Sequence, residues 1–254
     1  MINSSRLALN SALLLSPLLV SSAAFADQSS QQSEFSLGLG ATVSDSPYRD
    51  YDNDPQVIPL INYRSGNFHV RGTELGYQVY KGTGSIEVIG NLNTLEFDPD
   101  DSDSLSSLDE RDMAFEAGVR YRLENLSITA LTDISDTHEG ERVNINYAFP
   151  LAGNDQQSGL TPAVGLDWQS DDYNNYYYGV SAAESARNGG SIGTYDADSS
   201  VNPYIKVDAY YQIAPQWTAV ANVRYTWLDD NISDSSMVDD DREARASVGL
   251  NYKF

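Results

Sequence analysis

The chain has 254 residues, with 37 acidic side chains against 15 Lys plus Arg and no cysteine. Its formal charge of -22 excludes a reader of nucleic-acid backbones, which needs clustered Lys and Arg to release counterions. Without cysteine there is no disulfide, thiolate zinc site, iron–sulfur cluster or Cys nucleophile, and two histidines, His69 and His138, cannot build a His-rich metal centre.

Met1 to Ala26 has the form of a secretory signal. Arg6 is the positive n-region, the apolar run Leu7 to Val20 is the h-region, and Ala24-Phe25-Ala26 is a small-x-small cleavage site. The run is short for a membrane anchor and carries Asn10, Ser11 and Pro17, so the expected mature chain is 27–254. No later stretch reaches the ~20 apolar residues of a spanning helix.

From there the period is two. Met113, Phe115, Ala117, Val119, Tyr121 and Leu123 alternate with Glu116, Gly118, Arg120 and Arg122. Val143, Ile145, Tyr147 and Phe149 flank Asn144 and Asn146, and Leu160, Pro162, Val164, Leu166 and Trp168 flank Thr161, Asp167 and Gln169. Trp217 through Trp227 and Ala244 through Phe254 repeat the pattern, which marks strands with one apolar and one polar face. Strands are predicted over 34–43, 55–63, 67–72, 74–81, 85–96, 111–123, 126–134, 142–149, 160–169, 203–213, 216–228 and 242–254.

A soluble sandwich alternates as well. Here, however, the strands are about 10 residues long rather than about 6, aromatics close the apolar faces, and Glu, Arg, Lys and Asp sit at mid-strand on the other faces. A wet lumen accepts those charges and a dry core does not. The fold class is therefore all-β, a transmembrane antiparallel β-barrel of twelve strands, or ten if 67–81 forms one strand. The terminal Phe254 matches the ending of outer-membrane barrels. Alternating short turns with long outer loops at 44–54, 98–110, 135–141, 170–202 and 229–241 puts both termini in the periplasm.

The run Pro59-Leu60-Ile61-Asn62-Tyr63, with Gly66-Asn67-Phe68 and Gly72-Thr73-Glu74-Leu75-Gly76-Tyr77, resembles a hallmark of the MipA/OmpV family of MltA-interacting proteins. Tyr176-Tyr177-Tyr178-Gly179-Val180-Ser181, followed by Glu184-Ser185-Ala186-Arg187, resembles it too, as do Asp234-Ser235-Ser236-Met237-Val238 and the Tyr252-Lys253-Phe254 ending. Ser236 stands where the family usually has Pro, which bears on the stiffness of the last outer loop. The acidic outer loops bear on lipopolysaccharide beside membrane lipid, and the barrel is expected to be a monomer. The resemblance implies an outer-membrane protein. It also implies a non-enzymatic scaffold joining a lytic transglycosylase to a penicillin-binding protein. Fold alone does not fix that task. The other readings are a narrow channel, cation-preferring at its acidic mouth, and a surface adhesin or receptor working through 170–202.

No catalytic, cofactor or metal residues are assigned. Asp50, Asp52 and Asp54 start like an EF-hand loop, but Pro55 and Ile61 occupy the places of its Gly and Glu, and Asp98 to Asp103 and Asp239 to Asp241 have no cage pattern. These clusters read as solvated acidic surface. The serines and acids near His69 and His138 form no nucleophile motif. The candidate contacts are Tyr176, Tyr177, Tyr178, Glu184 and Arg187: either interfacial girdle and loop packing, or a loop folded over the lumen. Ser181 to Glu184 has capping-box form, and Glu184 and Arg187 stand three apart on the helix it starts. Inside, Arg120, Arg122, Arg224, Arg245, Lys206 and Lys253 face Glu116, Asp167, Asp208, Glu243 and Glu87, and either pair into a network or line a pore.

Overall fold

A closed antiparallel barrel of twelve strands makes up the computed structural model, which describes residues 33–51, 53–151 and 157–254. The strands are β1 (Glu34–Asp45), β2 (Gln56–Ser65), β3 (Phe68–Arg71), β4 (Glu74–Lys81), β5 (Ser85–Asn93) and β6 (Ala114–Leu123). They continue as β7 (Leu126–Asp133), β8 (Glu141–Ala148), β9 (Ser158–Gln169), β10 (Ser200–Ala214), β11 (Trp217–Trp227) and β12 (Arg242–Lys253). The signal expected over 1–26 lies outside the described residues. Segment 67–81 is a hairpin of two strands, so twelve is the count and ten is not.

Closure joins β1 to β12, in register from Ser36 opposite Lys253 to Asp45 opposite Ala244. At the turn end, the Phe254 N–H donates to the Phe35 carbonyl at 3.1 Å and the Lys253 N–H donates to the Gln216 carbonyl at 2.8 Å. Every strand alternates. Leu39, Val57, Val119, Ile205, Val223 and Val248 are exposed on the outer wall, whereas Thr42, Glu74, Glu116, Arg120, Asp208 and Ser247 are buried inside. A strand of 12 residues such as β12 rises about 40 Å, and a ~45° tilt brings that near the ~30 Å hydrocarbon thickness. Aromatic clusters mark both rims: Trp217–Tyr252, Tyr252–Phe254 and Phe35–Phe254, with ring centroids 4.9 to 5.2 Å apart, at one, and Tyr225–Trp227 at 4.8 Å at the other.

One stretch of wall is incomplete. β3 has four residues, and its hairpin turns at Gly72-Thr73, where Gly72 takes the left-handed φ of 54° that a side chain resists. Beyond Ile61, whose carbonyl accepts from the Gly72 N–H at 2.8 Å, β2 has no paired strand on that side among the described residues. The next residue facing the same edge is Pro59, which has no N–H to leave unpaired.

Short turns at 66–67, 82–84, 124–125 and 215–216 lie at the periplasmic end, and the long loops 46–55, 94–113, 134–140, 170–199 and 228–241 lie at the other. Val223→Arg puts a charge at mid-wall on the lipid face and is expected to destabilise the barrel by about 2–4 kcal/mol in bilayers. Val223→Leu should stay within about 0.5 kcal/mol. Denaturant titration of the folded, heat-modifiable band measures both.

Candidate functional site

The largest apolar core of the chain sits in the outer loops rather than in the barrel. Tyr48, Phe97, Leu105, Tyr177, Ile232 and Met237 are among its buried members, and they come from four separate loops. The acidic clusters therefore coat a packed tier, not loose solvated loops. Their signal in the sequence was the large apolar residues between the aspartates, such as Leu105 and Leu108 after Asp103.

The 170–199 segment supplies the roof. Its first helix, α1 (Asp171–Tyr178), is capped by Ser170, whose hydroxyl accepts from the Tyr173 N–H. Tyr177 is fully buried and Tyr178 nearly so, which rules out a membrane girdle and places the tyrosine run over the lumen. The Asn93 carboxamide donates to the Tyr173 hydroxyl at 3.2 Å and to that of Tyr177 at 3.4 Å, while the Tyr176 hydroxyl accepts from the Asp112 N–H at 2.8 Å. Burial pushes the Tyr173 phenol up to about 12 and Tyr48 and Tyr178 well above their ordinary value, so these hydroxyls stay neutral.

The second helix, α2 (Ala182–Arg187), has the expected capping box, with Ser181 and Glu184 satisfying each other's backbone N–H groups. The two charged candidates do not pair along the helix. The Glu184 carboxylate accepts from Arg111 at 2.7 Å, and Arg187 pairs with Asp109 at 2.8 Å, so both tie this loop to 94–113. Burial alone would raise the Glu184 carboxyl, but the Ser181 N–H and the Arg111 guanidinium hold it down to about 2. Ser236, at the position of the family's usual Pro, anchors the last loop by donating to the Gly193 carbonyl at 2.6 Å, and Ser235 donates to Tyr178 O at 2.5 Å.

Below this roof the lumen charges pair. Glu74 accepts both Nη groups of Arg120, and Arg122 reaches Glu87 at 2.7 Å. Glu116 takes Arg142 Nε at 2.7 Å and Asn91 at 2.9 Å, with His138 Nε2 at 3.6 Å. Arg224 pairs with Asp167 and lies 3.7 Å over the Tyr204 ring; Lys206 pairs with Asp208, Arg245 with Glu243 and Lys253 with Glu34. Every lumen charge expected from the alternation faces inward and has a partner. Glu74 and Arg142 were missed because the first lies in the doubtful hairpin and the second at a strand end. His138 is also fixed: its Nδ1 accepts from the Gly140 N–H at 3.0 Å, and its ring meets Tyr173 at 4.9 Å. His69, on β3, approaches Glu74 at 3.4 Å, whereas His138 lies in the 134–140 outer loop, so the histidines do not converge.

A more open cleft of about 580 Å³ lies among the outer loops between Arg111, Val180, Glu184 and Tyr195, while within the lumen of the described residues lie two cavities of about 240 Å³ each that share no lining residue. The outer one runs from Tyr173 and Tyr178 down past Arg142, Asp167 and Arg224. The inner one opens toward the periplasmic end between Glu34, Arg64, Arg71 and Asn251. Between them Ile58, Leu60 and Val220 pack with Tyr210, all on lumen-facing positions, in the space left where β1 and β12 carry Gly40 and Gly249.

Comparison with known proteins follows the same outline. The family model described as MltA-interacting protein MipA matches residues 37–254. The chain is 34% identical over 230 residues to the MltA-interacting protein of Escherichia coli (strain K12), covering 88% of this chain and 91% of that one. It is 25% identical over 232 residues to outer membrane protein OmpV of Vibrio cholerae serotype O1, covering 88% of each. Among solved structures it is similar to outer-membrane expressed OmpT of Vibrio cholerae, with 9% identity, a TM-score of 0.38, and coverage of 91% of this chain and 100% of that one.

Arg111→Met strands the buried Glu184 carboxylate and is expected to open the roof, raising tryptic cleavage after Arg187 at least about tenfold. The double variant Arg111→Met with Glu184→Leu should recover most of the protection, as seen by mass spectrometry of the fragments. A second handle is Glu96, whose carboxyl is pushed up to about 7 by burial and then by Glu110, Asp98 and Asp112. Its folded pKa is raised, so its stabilising neutral form prevails at low pH and is lost as pH rises through about 7. Glu96→Gln should raise the heat-modification temperature at pH 8 by an amount worth about 1 kcal/mol, after solvent screening of this half-exposed site, and leave it unchanged at pH 4.

Proposed function

The chain belongs to the MltA-interacting protein (MipA) family and is an outer-membrane β-barrel, and from that premise we propose that it is a non-enzymatic envelope scaffold rather than a pore. The observation that carries this reading is the divided lumen: two cavities without a common lining residue, an apolar partition between them and a tyrosine roof above. Charges that pair across the lumen close a narrow barrel instead of lining a water path. In this reading Tyr176, Tyr177, Tyr178, Glu184 and Arg187 are roof residues that hold 170–199 over the barrel. The histidines serve the same end, His138 by fixing the 134–140 loop beneath that roof.

The partners proposed are a lytic transglycosylase of the MltA type and, through it, a penicillin-binding protein, on the strength of the relative's name and family. The protein's place in the outer membrane adds contact with lipid and lipopolysaccharide, as a monomer. The described periplasmic turns are short, so a partner would read them together with the segments before Ser33 and around 150–159; residues 27–32 and 152–156 lie outside the described residues.

Reconstitution in planar bilayers, together with capture of a purified MltA-type transglycosylase on the immobilised barrel, tests the proposal. Silence across the bilayer with retention of the transglycosylase is the expected result. Stable, salt-dependent conductance without retention would replace the scaffold by a channel.

A further inference from the structure

Among the described residues the arginines are matched to carboxylates with two exceptions. With acids outnumbering Lys plus Arg by 37 to 15, carboxylate partners are abundant. Arg49, Arg111, Arg120, Arg122, Arg142, Arg187, Arg224, Arg242 and Arg245 each have one within 4.0 Å. Arg64 and Arg71 have none among the described residues, and no side-chain hydrogen bond there either. Both line the inner cavity of about 240 Å³.

Their placement is set by the β2–β3 hairpin. Arg64 lies opposite His69 and Arg71 opposite Asn62, so the two arginines are diagonal neighbours on the same lumen-facing surface. Arg71 is half-buried; its cross-strand partner on β4 is Glu74, and Arg64 and Arg122 are also within coulombic reach of it. The acids in range are already engaged: Glu74 by Arg120, Glu87 by Arg122, and Glu34, which lines the same cavity, by Lys253. An unbalanced pair of guanidiniums in a half-buried cavity is unfavourable unless a counter-charge occupies it.

We propose that this periplasm-facing cavity is an oxyanion site, in which Arg64 and Arg71 together receive a carboxylate or phosphate group of a small solute. Guanidinium forks suit planar carboxylate and phosphate oxygens, and two forks converging from adjacent strands favour a group with more than one charged oxygen. The cavity admits a solute of a few heavy atoms or the charged end of a longer one. It lies on the side of the apolar partition away from the outer loops, so access is from the periplasm. The proposal stands whether or not the barrel binds a cell-wall enzyme.

The test is isothermal titration of the intact refolded barrel, in zwitterionic detergent at low salt, with inorganic pyrophosphate in one arm and succinate in the other. Binding of at least one probe is expected, weakening as salt rises and falling at least tenfold in Arg64→Gln and in Arg71→Gln. Arg242→Gln, an exposed change at the outer end of β12, should leave it unaltered, and heat-modifiable mobility confirms that each variant is folded. Preference for pyrophosphate assigns a phosphate ligand and preference for succinate a carboxylate. If neither probe binds at millimolar concentration, or if the double variant Arg64→Gln/Arg71→Gln binds as well as the parent, the site is refuted.

Discussion

A strand in hydrocarbon has nowhere to place an unpaired N–H or C=O, and this requirement governs the rest of the molecule. It forces closure, so β1 must find β12 even though more than two hundred residues separate Thr42 from Ser247, whose hydroxyls meet at 2.9 Å inside the seam. It explains the single irregular wall as well. Where the β3–β4 hairpin stops short, the exposed edge of β2 carries Pro59, a residue with one fewer group to satisfy. Closure also forces side chains into two populations, lipid-facing and lumen-facing, at strict alternation. That is why a membrane protein can have a mean hydropathy of -0.41.

Once the barrel is closed, its interior becomes the second problem. Charged residues there are partly desolvated, most of them are paired, and the geometry of the strands decides which pairs form. Glu116 shows the consequence. It joins Arg142 of β8 and Asn91 of β5, and through His138 it reaches the loop under α1, so the lumen network and the roof are one connected unit. Asp133 adds a second tie, its carboxylate accepting the N–H groups of Ser135, Thr137, His138 and Glu139 at 2.6 to 3.0 Å. The roof is therefore held from below by polar contacts and from within by an aromatic core.

Alternation made the barrel legible. Each strand was placed to within a few residues, because period two survives any tertiary context that has a lipid face. The short β3 was the uncertain point, since four residues cannot display a period. The outer tier was not legible for a different reason. Its core draws single residues from separate loops, Tyr48, Phe97, Tyr177 and Met237, with no repeat to connect them. Acidic composition then masked apolar residues that were present throughout. The capping box of α2 could be read because its two partners are three residues apart. Glu184's ionic partner, Arg111, could not, because it lies 73 residues away.

Charge sorting connects these levels. The acids crowd the outer tier, where water and counterions screen them, and those inside the barrel are matched to arginines or lysines. A chain with such an acid excess could have paired every guanidinium. Leaving Arg64 and Arg71 bare is thus a property of position rather than of composition: the strands that carry them put no free carboxylate within reach. A positive cavity facing the periplasm, beneath an acidic outer tier and sealed from it by Ile58, Leu60 and Val220, makes the two ends of the barrel electrostatically opposite. An oxyanion held between Arg64 and Arg71 would enter from the periplasmic side, away from the acidic outer tier.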